Sequence, residues 1–160
     1  MFFFFFYDKY VAIIGDIVDS KKIKDRKAIQ HKFKNVLADI NVKYSEDIAS
    51  KFTITLGDEF QGLLKNKNNV MKIICEIEMA MTPIELRFGI GIGDISTDIN
   101  FDNSSEIDGP AYHRARKMIK EIESRKFQYT ERHSNIMICS EENNIEIDEL
   151  LNSILSVCTA

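Results

Sequence analysis

A chain of 160 residues with 44% hydrophobic content is of the size that folds as one domain and buries a substantial core. Its net charge of -4 excludes a global attraction to nucleic acid or to an anionic membrane, so any basic binding surface has to be local. Cys75, Cys139 and Cys158 are odd in number and far apart, with no CxxC pair able to clip zinc or exchange thiols, which points to a reducing, cytoplasmic compartment.

The run Phe2 to Phe6 meets Tyr7, Asp8 and Lys9, has no basic segment ahead of it and is too short to span a bilayer. It reads either as a strand extension or as an exposed apolar tail, and no membrane is expected as a partner. Tyr10 to Val18, YVAIIGDIV, has the apolar, β-branched character of a strand buried on both faces, yet it carries Asp16. Lys21 to Lys43 places Ile29, Phe33, Val36, Leu37 and Ile40 on one stripe and predicts an amphipathic helix. Phe52, Ile54 and Leu56 alternate with threonines, Gly57-Asp58 signals a turn, and Phe60 to Leu64 resumes a strand, so a hairpin with an acidic tip is predicted. Val70, Ile73, Ile74, Ile77 and Met81 form a second helical stripe closed by Pro83, and Ile84 to Gly93 reads as a further strand.

The order β-α-β-β-α-β is the split βαβ, or ferredoxin-like, arrangement: a mainly antiparallel sheet with both helices on one face. Beyond a polar loop, Pro110, Ala111, Ala115, Met118, Ile119 and Ile122 mark a third helix. Asn135 to Cys139 reads as an extra strand, and Ile147, Leu150, Leu151 and Ile154 as a last helix. A single α/β (α+β) domain is expected, with a core over about residues 10–124 and a C-terminal extension over 125–160. Gly89, Gly91 and Gly93 fall on one face of their strand, leaving it bare for the close approach of a ligand or a helix.

The split βαβ order pairs the first and third strands through the sheet centre and so brings Asp16 and Asp58 together. Two neighbouring carboxylates repel and persist cheaply only with a proton or a cation between them. A hard cation such as Mg²⁺ suits these oxygens, and the backbone carbonyl of Ile17 could complete the set. Just beyond, Lys21 and Lys22 at a helix N-terminus form a candidate anion site.

The segments GDIVDS, LGDEF, LRFGIGIGD and GPAYHRARKM resemble class III nucleotide cyclases and the diguanylate cyclases named for a GGDEF signature, over about Tyr10 to Met118. The whole chain looks like the SatD family of bacterial proteins. The resemblance implies a cyclase-type palm in which Asp16, Ile17 and Asp58 hold Mg²⁺ or Mn²⁺, Lys21, Lys22 and Gly57 lie against a purine nucleotide or related phosphate ligand, and His113, Lys117 or Arg116 contacts ribose or the transferring phosphoryl group. A homodimer is implied as well, because such sites form between two palms. The departures are specific. His113 and Lys117 stand where cyclases carry an Asn and an Arg, Leu56 replaces the first glycine of the signature, and Phe52 and Ile54 stand where a base-recognising lysine is expected. With that catalytic pair missing, a regulatory nucleotide- and metal-binding domain is the expected function. The alternatives are an active cyclase making a cyclic or linked nucleotide from ATP or GTP, and a nucleic-acid-binding regulator that would meet DNA in a longer chain.

Overall fold

The computed structural model describes residues 9–128, 134–140 and 145–159; the Phe2 to Phe6 run lies outside them. Five strands, β1 (Tyr10–Ile17), β2 (Ile48–Leu56), β3 (Glu59–Leu64), β4 (Leu86–Gly93) and β5 (Ile136–Cys139), form one sheet in the order β2-β3-β1-β4-β5. The first four are antiparallel neighbours and β5 lies parallel to β4, so the predicted ferredoxin-like core is present with one added edge strand.

Side-chain alternation along β1 assigns the two faces. Val11, Ile13 and Ile17 face α1 (Arg26–Lys43) and α2 (Val70–Met81) and meet Phe33, Leu37, Ile40, Ile73, Ile74 and Ile77 in the main core. Phe33, Phe60 and Phe88 are fully buried there, with edge-to-face ring separations of 5.1 Å for Phe33–Phe60 and 5.9 Å for Phe60–Phe88. Burial of one such side chain contributes about 1.5–3 kcal/mol. Ala12 and Ile14 look the other way, toward α3 (Pro110–Gln128), in a second core with Ala111, Tyr112, Ala115 and Ile119.

That second face has little side-chain bulk because a helix backbone lies on it. A methyl group at Gly89 would overlap the Ala115 carbonyl oxygen, and one at Gly91 the Ala111 carbonyl oxygen. The glycine stripe is therefore the seat of α3.

Two features differ from the sequence reading. The first helix begins at Arg26, not Lys21, because the Asp25 side chain accepts the Ala28 N–H at 3.1 Å and caps it. Lys21 and Lys22 sit in a separate 3-10 turn (Ser20–Lys22) that follows Asp19 in the left-handed region at φ 53°. The last helix, α4 (Ile145–Thr159), turns polar side chains to the sheet: Asn152 bonds both backbone groups of Ile138 at 2.8 and 2.9 Å, and Asp148 accepts the Ser140 N–H. Ile147, Leu150, Leu151 and Ile154, which mark this helix in the sequence, consequently lie toward solvent.

Candidate functional site

The C-terminal end of β1, the 3-10 turn, the start of α1 and the tip of the β2–β3 hairpin enclose a cavity of about 330 Å³, lined by Ile17, Ser20, Ile23, Arg26, Lys27, Ile29, Gln30, Gly57 and Asp58. The hairpin tip is shaped by Gly57, whose φ of +56° is strained for residues with a side chain. The Gln30 amide nitrogen donates to the Gly57 carbonyl at 2.9 Å and ties the tip to α1. Asp58 is half-buried and has no hydrogen-bond or ion-pair partner among the described residues. Ile17, Gly57 and Asp58 thus line one cavity together with the cations Arg26 and Lys27.

Asp16 lies beside this cavity on the α3 face of the sheet. It is register partner to Glu59 on β3 and to Arg87 on β4. Arg87 grips it with a planar fork: Nε donates to Oδ1 and Nη2 to Oδ2, each at 2.8 Å. Both side chains are largely buried, at 13% exposure for Arg87 and 16% for Asp16. Arg87 Nη2 also lies 3.2 Å from Glu123 Oε1 on α3, while Arg116 Nη1 reaches Glu59 Oε1 at 3.2 Å. Burial pushes the Asp16 carboxyl above its ordinary range, Arg87 pulls it back, and the charges of Glu123 and Asp58 push it up again.

The sequence-predicted residues therefore divide. Ile17, Gly57 and Asp58 line one cavity, while Asp16 turns to the α3 face, near enough to Asp58 for their charges to interact, with Arg116 close by through Glu59. Lys21 and Lys22 are exposed on the neighbouring turn, with Lys22 paired to Asp19 at 3.0 Å; the cations that line the cavity are Arg26 and Lys27. His113 and Lys117 line a different and wider groove of about 1260 Å³ between α3, β5 and α4, and His113 Nε2 lies 3.0 Å from Asp108 Oδ1.

Sequence reasoning missed Arg87. The signal was present: it is the charged residue within the apolar strand LRFGIGIG, as Asp16 is in its own strand, and antiparallel register sets the two side by side.

The carboxylates of Asp16 and Asp58 and the Ile17 carbonyl are hard oxygen donors of the kind Mg²⁺ and Mn²⁺ accept, so their chemistry fits a divalent ion. Their present arrangement commits both Asp16 oxygens to Arg87. Among the described residues no group of three or more His, Cys, Asp and Glu side chains is placed to hold a metal, and no helix is long and apolar enough to cross a membrane.

A sheet ordered β2-β3-β1-β4, with two helices on one face, a third helix on the other and an acidic hairpin tip beside the end of β1, defines a palm domain of the nucleotide cyclase type. Solved structures carry the same fold. The adenylyl cyclase CyaB from P. aeruginosa matches with a TM-score of 0.55 at 17% identity, over 89% of this chain and 81% of that one. A bacterial light-regulated adenylyl cyclase matches at 0.56 and 13%, over 81% and 74%. The catalytic core of a rhodopsin-guanylyl cyclase in complex with ATPalphaS matches at 0.52 and 16%, over 70% and 71%. The chain belongs to the SatD family, whose family model matches residues 10–160. Among curated proteins no significant relative is found.

Proposed function

We propose that this domain binds a purine nucleotide or related phosphate ligand in the cavity at the end of β1 and serves as a regulatory sensor. The observation that supports it is the meeting of Asp58, Gly57 and Ile17 with Arg26 and Lys27 around one opening of about 330 Å³. Two cations in the first turn of α1 neutralise a polyphosphate, and positive helix-end partial charges add to them. The Asp25 cap already takes one N–H of that turn, so Arg26 and Lys27 carry most of the recognition. Asp16, Asp58 and the Ile17 carbonyl would hold Mg²⁺ or Mn²⁺, which when bound would neutralise further phosphate charge.

Regulation is favoured over turnover by the residue types on α3. His113 and Lys117 stand where the cyclases this chain resembles carry an Asn and an Arg, and a lysine ammonium does not reproduce a bidentate guanidinium contact to a transferring phosphoryl group. A homodimer is proposed on the likeness to cyclase palms.

The test is a thermal-shift and calorimetric titration with ATP and GTP, each with and without Mg²⁺ and Mn²⁺, on the parent chain and on Arg26→Glu/Lys27→Glu. Saturable stabilisation that the double variant loses supports the proposal. An unchanged melting curve with every nucleotide refutes it. Release of pyrophosphate with a cyclic or linked nucleotide, abolished by Asp16→Ala, would replace the sensor with a cyclase.

A further inference from the structure

Two carboxylates at the end of β1 call for a cation, and the fold supplies one from its own chain. We infer that Arg87 occupies the cation position at Asp16 and gates divalent metal binding, so that the ion and the guanidinium compete for the same two oxygens. This deepens the metal part of the proposed function and rests on it.

The geometry opposes shared occupancy, since an ion on the remaining lone pairs would sit beside a fixed positive guanidinium. A carboxylate has two oxygens, and Arg87 donates to both at 2.8 Å in the fork arrangement that guanidinium and carboxylate planes favour. Arg87 is also not a passing surface partner. It is the second residue of β4, opposite Asp16 in the ladder, is 13% exposed, and is also paired with Glu123 on α3. A divalent ion ligated by Asp16 therefore has either to tolerate the adjacent positive charge or to displace a desolvated, doubly bonded guanidinium, which then keeps Glu123 as its remaining partner; both weaken its binding. Asp58, by contrast, has no partner among the described residues to surrender. The pair thus offers one carboxylate open to a metal and one closed by Arg87.

Two consequences follow. Asp16 is stable without any metal, because Arg87 balances its charge, while Asp58 is left uncompensated. Intrinsic metal affinity is weak in the parent chain and rises when the guanidinium is removed, by an amount that measures the gate.

The experiment titrates Mn²⁺ alone into the full chain, its Arg87→Met variant and the double variant Asp16→Asn/Arg87→Met, reading free Mn²⁺ by electron paramagnetic resonance and the thermal midpoint in parallel. Arg87→Met is expected to bind Mn²⁺ at least about tenfold more tightly than the parent, and its midpoint to rise with Mn²⁺. The double variant is expected to lose that gain. Should Arg87→Met be unfolded without metal, recovery of its helical circular dichroism on adding Mn²⁺, absent in the double variant, supports the gate equally. Equal, measurable affinity in parent and Arg87→Met overturns the gate while leaving metal binding standing. No Mn²⁺ bound by either removes both the gate and the proposed metal site.

Discussion

Replacing Arg87 by methionine keeps the length and apolar stem of the side chain but strips Asp16 of its charge partner. With the two side chains at 13% and 16% exposure, little solvent screening remains, and breaking such a pair from one side typically costs about 3–5 kcal/mol. The lower end, about 3 kcal/mol, is expected, because Asp16 retains some contact with water and can escape by taking up a proton. That escape gives the variant a distinctive pH dependence. Burial already raises the Asp16 pKa, and removing the guanidinium raises it further. A carboxyl whose folded pKa exceeds its unfolded value binds more protons when folded, so its unfavourable contribution grows as pH rises from about 3.8 through the folded pKa and is constant above it. Urea unfolding of parent and variant at pH 5 and pH 7.5 should thus show a smaller difference at the lower pH, and Asp16→Asn/Arg87→Met should recover much of the loss. Asp16→Asn alone should cost less than Arg87→Met, since Glu123 still pairs the arginine at 3.2 Å. A loss under about 0.5 kcal/mol, or strict additivity in the double variant, would show that the pair behaves as an exposed surface bridge and would refute the energetic reasoning.

Gly91→Ala places a methyl group against the Ala111 carbonyl oxygen and the Ala115 backbone nitrogen; because backbone cannot rotate aside, α3 must retreat, and a loss of about 1–3 kcal/mol in urea unfolding is expected. The Glu76 carboxyl is held below its usual range by hydrogen bonds from Lys43 and Tyr44, so its contribution is present above its unfolded pKa and lost as pH falls through the folded value; Glu76→Gln should flatten the acid limb of a stability-pH curve relative to the parent. His113→Ala should leave nucleotide affinity in calorimetry unchanged, because this side chain lines the α3–α4 groove of its own chain; a tenfold loss would bring that groove to the ligand, as the site itself or across the dimer.

Much of the architecture was legible in local pattern. The period-two run of β2, the stripes of α1 and α2 and the Gly57-Asp58 turn each reflect which faces must be buried, and burial is written into residue spacing. The C-terminal helix shows the limit. Its apolar stripe at Ile147, Leu150, Leu151 and Ile154 has helical periodicity, but Asn152 and Asp148 satisfy the open backbone of edge strand β5 and turn the stripe outward, a choice between competing faces that spacing does not encode.

At the site, residue pattern alone marked Asp16 as anomalous, because an ionised carboxylate in an apolar strand demands a partner, and set Asp58 near it. Only the tertiary structure decided who the partner is. Arg87 is 71 residues away in sequence, and its fork meets Asp16 because antiparallel register sets β4 beside β1. Local patterning reports which side chains need burial or neutralisation; strand order and register determine which distant residue meets that need.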